Sequence, residues 1–434
     1  MDTQLPPDID AAVSDIRAAM AFVERRAINR TDVIKKIFCA LLTREHVLLA
    51  ARTGVGKSLL ANQIFAMFDG ARIFRMQASK EQQPDTYFGA LDLEELKRGR
   101  IIHNTEGSLV ESELGFIDEI FDANDYTLRA LLTTLNERRL VRGVQDVPAL
   151  VHTVIGAANY IRVTDVTEAV LDRFLYKAVV EPDREPFFMY RISQQFVLHR
   201  GGIAEPPRKI PFTTLQRLSR LIRGHDPEHA VVVPADIMFF TNLVLRHYET
   251  LLRRARKQRG ASGEGGSPDF YISPRTQAKT LDALRAIAVM NRRLEVRLDD
   301  VAKMPILLCT AGVREEREIF TKAHDSLCNH YTASHAFDQL RTLLELQEVL
   351  DRVRLDRSLL EQPIAELTDH RVRRSILDWA KKALGMGETG ADSNRRVMTE
   401  YVDSITPLTD EIRLLKMRLL DEIHHLFNPD EGWK

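Results

Sequence analysis

The chain has 434 residues, is 44% hydrophobic and 28% charged, and carries 61 basic and 62 acidic side chains for a formal net charge of −1. Its length predicts two or three domains, and its composition is typical of a globular protein. The balanced charge excludes a chain built throughout to attract nucleic acid or anionic membrane. The sequence has no apolar run of about 18 residues, so we expect no membrane span. Its acidic, Pro-containing start "MDTQLPPDID" is unlike a signal peptide, which favours a cytoplasmic location.

The cysteines give no sign of a metal or redox site. Cys39, Cys309 and Cys328 are far apart and form no Cys-x-x-Cys pair. We expect them to be small core residues of a protein in a reducing compartment.

The chain then divides by its hydrophobic pattern. Residues 9–45 show helical periodicity, and four short apolar runs follow, at 46–51, 71–78, 114–120 and 150–159. Their long connections predict a mainly parallel sheet with helices on both faces. From about residue 186 the pattern becomes helical, with helices expected to begin at Pro234 and Pro274. The stretch "RGASGEGGSPD", 259–269, has the composition of a flexible loop.

The first strand candidate runs into "ARTGVGKS", 51–58, which matches a phosphate-binding loop except that Ala51 replaces the leading glycine. Gly54 and Gly56 would allow the backbone to curl around an anion at a helix N-terminus. Lys57 would reach the β- and γ-phosphates, and Ser58 would bind Mg²⁺. The expected nucleotide-binding residues are Thr53, Gly54, Val55, Gly56, Lys57, Ser58 and Leu59. The alternative is an accidental Gly-Lys-Ser turn.

A second motif, "LGFIDEIFDAN", places two adjacent acids at the end of an apolar strand candidate. Asp118 would hold Mg²⁺ and Glu119 would activate the attacking water, since ATP hydrolysis requires positioning and charge stabilisation. Alone, the pair is equally typical of solvated acids at a strand end. Its position about sixty residues after a phosphate loop favours the functional interpretation.

Three further residues are candidate site residues only because of the order in which they follow these motifs along the chain. Asn159 closes the apolar run "VIGAAN" and could position water, although a turn-forming role is common for such a residue. Arg173 lies in "LDRF", and Arg275 follows a predicted N-cap in "SPR". Taken singly, each arginine would be interpreted as a surface ion-pair residue.

That order resembles AAA+ ATPases of the MoxR group, and within it the RavA subfamily. The resemblance covers roughly residues 20–310. The residues that carry it are "TGVGKS" (53–58), "PDTYFGALDLEELKRGR" (84–100), "FIDEIFDANDYTLRALLTTLNERRLVRG" (116–143), "GAANY" (156–160), "LDRF" (171–174) and "SPR" (273–275).

The resemblance implies an AAA+ P-loop α/β fold, a parallel αβα sandwich followed by an all-α lid and a C-terminal helical region. The expected domains are 1–190 for the N-terminal helices and ATPase core, 191–314 for the lid, and 315–434 for the helical region, which could recruit a partner. Residues 79–113 would be the insert in helix 2 typical of this group. Within it, the turn-rich stretch 98–112 could form a hairpin.

The resemblance also assigns roles to the polar residues. Asn159 takes the sensor-1 role, Arg275 the sensor-2 role from the lid, and Arg173 that of an arginine finger acting on a neighbouring subunit. Arg138 and Arg139 are rivals for the finger. A finger supplied in trans implies a hexameric ring that hydrolyses ATP with Mg²⁺.

For function, the resemblance implies a chaperone-type ATPase that remodels or activates a protein partner, commonly one with a von Willebrand factor A domain. The alternative is a nucleic-acid-dependent motor or helper ATPase. Its main support is the basic run "RRARKQR", 253–259, which is otherwise typical of a solvated helix end.

Overall fold

The structure is a computed structural model of the chain. It describes residues 5–159, 172–199, 203, 205–260, 271–356, 358–359 and 391–427. By their internal contacts these form two compact units. The first comprises 1–233 and 247–321, and the second comprises 234–246 and 322–434. Residues 191–314 therefore lie in the same unit as the predicted ATPase core, except for 234–246.

A five-stranded parallel sheet forms the centre of the first unit. Its order is β3-β4-β7-β1-β8, with β1 at Val47–Ala51, β3 at Ile73–Gln77, β4 at Leu114–Asp118, β7 at Thr153–Ala158 and β8 at Tyr176–Val180. The four apolar runs are confirmed as strands. The fifth strand, β8, was not predicted, because its buried positions alternate with partly exposed ones and Lys177 interrupts its apolar pattern.

Strand β1, which lies between β7 and β8, is apolar and buried at every position, as is typical of a strand in a parallel sheet. The predicted α/β fold with a parallel central sheet is confirmed. Short strands accompany this sheet: β2 (Phe68–Asp69) pairs with β9 (Ile210–Pro211), and β5 (Arg139–Arg142) with β6 (Gln145–Pro148). The β5–β6 pair is an antiparallel hairpin that follows the acidic strand.

Helices surround the sheet. In the first unit they are α1 (Pro7–Arg26), α2 (Thr31–Thr43), α3 (Lys57–Phe65), α4 (Asp85–Phe88), α5 (Leu93–Lys97), α6 (Asp125–Glu137), α7 (Pro186–His199), α8 (Phe212–Ile222), α10 (Pro274–Met290), α11 (Leu298–Val301) and α12 (Pro305–Leu308). Two longer helices, α9 (Ala235–Gly260) and α13 (Arg314–Ala333), contribute residues to both units.

The insert between β3 and β4 is less regular than expected. Residues 98–112 do not form the predicted hairpin. Instead, His103 makes an isolated antiparallel bridge with Leu91, and Leu109–Glu111 forms a short 3-10 helix. Leu109 and Val110 are buried in the core, which fixes this stretch against the sheet rather than in a free hairpin.

A buried lysine links α2 to α12. Lys36 is 2% exposed, and its Nζ donates to the carbonyl oxygens of Ile306 (2.5 Å) and Cys309 (2.6 Å). Burial lowers the pKa of Lys36 to about 8. These carbonyls lie at the end of α12, where helix C=O groups lack intrahelical partners, so the amine stabilises that end.

Two of the three cysteines lie in the core. Cys39 and Cys309 are buried, and burial raises the pKa of each thiol to about 11. Cys328 is half-buried. In the part of the chain that the structure describes, no group of His, Cys, Asp or Glu is arranged to hold a metal ion.

The second unit is helical. Besides its parts of α9 and α13, it contains α14 (Ala336–Leu355), α15 (Ala391–Ser404) and α16 (Asp410–Phe427). The predicted apolar seam of Leu343, Leu346, Leu350 and Val353 is buried along α14, which packs on α16. These helices are consistent with the predicted C-terminal helical region.

Candidate functional site at the carboxyl edge of the sheet

The glycine-rich loop connects the end of β1 to the start of α3. Gly54 and Gly56 have φ of +86° and +85°, and a Cβ at either position would meet no heavy atom within 4 Å. These glycines are therefore required by backbone conformation and not by space. Ala51 is the last residue of β1, pairs with Val180 and is 5% exposed. Because a strand residue has negative φ, its methyl group fits without strain.

The structure brings four of the predicted polar residues together beside this loop. Lys57 Nζ lies 2.6 Å from Asn159 Oδ1, 3.6 Å from Glu119 Oε1, 3.7 Å from Asp118 Oδ1 and 3.1 Å from the Ala51 carbonyl oxygen. Lys57 is 8% exposed. One positive and two negative groups thus converge at the carboxyl ends of β1, β4 and β7, the edge where open parallel sheets bind ligands.

The two acids are held in distinct ways. Glu119 adopts φ +52°, a left-handed conformation that is uncommon for a residue other than glycine. Its backbone N–H donates to Asp118 Oδ1 (3.0 Å), and its Oε2 accepts from the backbone N–H of Asn159 (3.2 Å). Both carboxylates nevertheless lie within 3.7 Å of the same Lys57 Nζ.

This donor set fits a nucleotide with a magnesium ion. Loop N–H groups and a lysine at a helix N-terminus bind phosphate oxygens. Asp118 and the Ser58 hydroxyl would supply oxygen ligands of the kind that Mg²⁺ prefers.

A cavity of about 670 Å³ lies beside the loop and was not predicted from the sequence. Thr53, Gly54, Val55, Gly56, Lys57 and Leu59 form one wall, the α1–α2 connection with Arg26, Ile28 and Arg30 forms another, and α7 forms a third with Met189, Ile192 and Phe196. Arg30 ties this connection to the segment after β8 by an ion pair with Asp183 at 2.8 Å. Only tertiary packing brings these segments together, so no local pattern indicated them.

Arg173 and Arg275 lie at the opposite edge of the sheet. Arg173 lies three residues before β8 and contacts Asp172 at 3.3 Å. Asp172 also accepts a hydrogen bond from Oγ of Ser273 (3.0 Å), the N-cap of α10. In the first turn of α10, Arg275 donates to Asn136 Oδ1 and lies 3.9 Å from Glu45, the second residue before β1.

This edge is the amino edge, where the parallel strands begin. A five-residue strand spans roughly 16 Å, so β1 separates Glu45 from the phosphate loop by about that length. The structure therefore does not bring Arg173 or Arg275 to Lys57 of the same chain.

The rival arginines differ from Arg173. The Arg138 guanidinium is buried and donates to the carbonyl oxygens of Val151 (2.5 Å), His152 (2.8 Å) and Arg44 (2.6 Å). Burial lowers the pKa of Arg138 to about 9. It closes the end of α6 and is not free to reach a ligand, whereas Arg139 is exposed and pairs with Asp146 at 2.8 Å.

The basic run lies on the last turns of α9. Arg253 pairs with Glu249 at 3.0 Å and Arg256 pairs with Glu316 at 3.3 Å, which reduces its net positive charge. Most of the predicted loop 259–269 lies outside the described residues.

The parallel sheet and the glycine-rich loop fit the α/β fold of AAA+ proteins. Residues 14–193 match the family model of the MoxR domain in the MoxR-vWA-beta-propeller ternary systems. The chain is 26% identical over 349 residues to chaperone MoxR1 of Mycobacterium tuberculosis, covering 78% of this chain and 84% of that protein. Together these matches support a MoxR-group AAA+ ATPase.

Other relatives match over shorter regions. Two uncharacterized proteins of Methanocaldococcus jannaschii are 27% identical over 277 residues and 34% identical over 156 residues. These matches cover 63% and 35% of this chain, and they span only 64% and 41% of those proteins. The crystal structure of a candidate ATPase from Cytophaga hutchinsonii shares the fold, with a TM-score of 0.55 and 15% identity over 73% of this chain and 96% of that one.

Among the described residues, no helix is both long enough and apolar enough to cross a bilayer.

Proposed function

We propose that this protein hydrolyses ATP as a MoxR-group, RavA-like AAA+ chaperone that assembles into a hexameric ring. The convergence of Lys57, Asp118, Glu119 and Asn159 beside the glycine-rich loop carries the proposal. A lysine between two acids and an amide is the set that phosphate binding and water activation require.

Each residue has a distinct task in this mechanism. The loop N–H groups and Lys57 bind the phosphates. Lys57 then turns away from Asp118 and Glu119, the acids that it contacts in this structure. Glu119 then accepts a proton from the attacking water, and Asn159 holds that water in line. Magnesium, held by Asp118 and Ser58, would neutralise charge on the phosphate oxygens.

Arg173 and Arg275 act on the nucleotide of a neighbouring copy. Their shared position at the amino edge, a strand's length from the loop of the same chain, supports this assignment. A ring in which the amino edge of one copy meets the carboxyl edge of the next would complete each site. Repeated head-to-tail contact of this kind closes into a ring when the rotation between successive copies adds up to a full turn.

The partner is a protein with a von Willebrand factor A domain. The family model that matches residues 14–193 is named for systems that combine MoxR with such a domain, which supports this choice. The helical second unit is the proposed contact for this partner.

The test is ATP turnover by the purified full chain and by its Glu119→Gln variant. We expect the variant to bind ATP but not to hydrolyse it; normal turnover would remove the proposed water-activating residue. If DNA stimulated hydrolysis with a steep salt dependence, the nucleic-acid motor would replace the protein-remodelling function.

A further inference from the structure

Helix α7 carries several large apolar side chains that the rest of the described chain does not cover. Phe187 (58%), Tyr190 (61%), Val197 (77%) and Leu198 (63%) are exposed. A helix that is apolar on all sides is normally buried, and an exposed apolar patch of this kind marks an interaction surface.

The apolar residues fall on two faces of α7. Met189, Ile192 and Phe196 are three and four residues apart, share one face and line the nucleotide cavity. Phe187, Tyr190 and Val197 are three and seven residues apart, so they share the other face. We call this second set the outer face of α7. No residue of the outer face lines the cavity, so nucleotide binding alone does not cover it.

The position of α7 indicates what covers the outer face. Because α7 lines the cavity beside the phosphate loop, it lies at the carboxyl edge of the sheet. Any copy of the chain that brings Arg173 and Arg275 to this cavity must approach the same edge. The amino edge of that copy carries exposed apolar side chains. Leu150 lies three residues before β7 and is 45% exposed, and Tyr271 lies two residues before Ser273, the N-cap of α10, and is 59% exposed.

We propose that the outer face of α7 docks onto the amino edge of the next copy in the ring, so that one helix contacts both the nucleotide and the neighbouring subunit. This proposal rests on the proposed function, because it requires arginines that act in trans. Since α7 touches both partners, nucleotide binding and subunit association are coupled, and the coupling is reciprocal.

The first test measures assembly. The double variant Tyr190→Glu with Val197→Glu places two charges on the outer face. We expect its assembly, followed by light scattering on a sizing column with ADP present, to require at least about tenfold more protein than the wild type. Its affinity for a fluorescent ADP analogue, measured at a protein concentration too low for either protein to assemble, should stay within about threefold of the wild type, because the cavity-facing residues are unchanged.

The matched control is Leu93→Glu on α5, which charges another exposed apolar residue, 69% exposed, in the same unit. It should assemble like the wild type. The milder pair Tyr190→Ala with Val197→Ala serves if the glutamates lower the melting temperature. Wild-type assembly of every folded outer-face variant would overturn the proposal.

The second test gives the polarity of the interface. Tyr190→Glu damages only the carboxyl edge of a copy, so its amino edge can still supply Arg173. Mixing it with Arg173→Ala subunits should restore hydrolysis, since the Arg173→Ala copy keeps an intact α7 and active site. Mixing it with Glu119→Gln subunits should restore none, because both changes damage the same edge.

The outcomes separate the two proposals. Recovery of hydrolysis when Tyr190→Glu is mixed with Glu119→Gln would overturn the role of α7. So would a mixture of Tyr190→Glu with Arg173→Ala that restores no hydrolysis, provided that Arg173→Ala and Glu119→Gln complement each other. Failure of Arg173→Ala and Glu119→Gln to complement each other would instead count against action in trans, and the assembly assay alone would then decide whether the outer face joins copies.

Discussion

Lys57 Nζ and Asn159 Oδ1 lie 2.6 Å apart although the residues are 102 positions apart in the chain. The contact joins the end of β7 to the first residue of the helix after the phosphate loop. It means that the lysine is already directed at the polar groups that we assign to water and metal, before any phosphate is bound.

Replacing Lys57 should therefore act on binding, whereas replacing Glu119 should act on chemistry. We expect Lys57→Ala to weaken binding of a fluorescent ATP analogue by about a hundredfold or more, because the buried cation and its phosphate contacts are lost. Glu119→Gln should keep binding near the wild-type level. Titration of both variants by fluorescence checks this, and tight binding by Lys57→Ala would contradict it.

Arg173 should act across subunits. Arg173→Ala alone is expected to lower turnover by about 10³-fold, as for other arginines supplied in trans. Mixed with Glu119→Gln subunits it should recover part of the activity, because one copy then supplies the intact arginine and the other the intact site. Turnover measured over a range of mixing ratios tests this, and a flat response would count against the ring.

Asn136 should be a positioning residue for Arg275, since it accepts a hydrogen bond from that guanidinium. Asn136→Ala should lower turnover at saturating ATP by about tenfold, the usual effect of losing a hydrogen bond to a charged group. Nucleotide affinity should not change, because Asn136 lies at the edge away from the loop. Asn136→Asp keeps an acceptor and should retain activity.

The exposed Arg139→Ala is the matched control for Asn136. Arg139 lies three residues further along the chain than Asn136, and its side chain pairs with Asp146 and not with Arg275. Equal losses in Arg139→Ala and Asn136→Ala would show that the effect is not specific to Arg275.

The glycines of the loop should differ from Ala51. Gly56→Ala must place a methyl-bearing residue at φ +85°, which costs about 1–2 kcal/mol and should weaken nucleotide binding by roughly tenfold. Ala51→Gly restores the usual motif but should not tighten binding beyond about twofold, because Ala51 belongs to β1. Tighter binding by Ala51→Gly would show that the alanine does strain the loop.

Lys36 predicts a pH dependence of stability. Its folded pKa of about 8 is below the ordinary value of 10.5, so the unfolded chain holds the proton more tightly. The contribution of Lys36 to the free energy of unfolding is therefore constant below about pH 8 and rises between pH 8 and 10.5. Relative to Lys36→Met, the wild type should gain about 3 kcal/mol over this interval.

Urea unfolding of both proteins at pH 7.5, 9 and 10.5 measures this difference. Comparison with Lys36→Met removes the opposing effect of the buried thiols of Cys39 and Cys309, which both proteins share. Lys35→Met, at an exposed neighbour, should show no such trend. A constant difference between wild type and Lys36→Met would contradict a lowered pKa.

The sequence indicated which polar side chains lie together where local pattern determines position. The apolar strands end at Ala51, Asp118 and Ala158, and parallel strands place these ends on one edge of the sheet. The contacts of Lys57 with Asp118 and Asn159 lie at that edge. The cavity wall on α7 could not be predicted in this way. Its apolar residues show no single amphipathic face, and only the fold shows that one face lines a cavity.

Two other features depended on tertiary context. The stretch 98–112 has the composition of a hairpin, yet burial of Leu109 and Val110 in the core produces a short helix there. The edge occupied by Arg275 was also undetermined, because α10 lies about a hundred residues after β8. The Ser273–Asp172 hydrogen bond fixes it beside Arg173.

The length of β1 has a consequence for any ring that the protein forms. Glu45 precedes one end of this strand and the phosphate loop follows the other, with five buried residues between them, four of which pair with strands on both sides. If each end of β1 lies beside a different nucleotide, the rigid strand keeps consecutive ATP molecules at a constant distance from each other. A shift of the arginines toward one nucleotide would then displace the whole sheet, and movement could pass around the ring as rigid-body steps rather than as changes within a subunit.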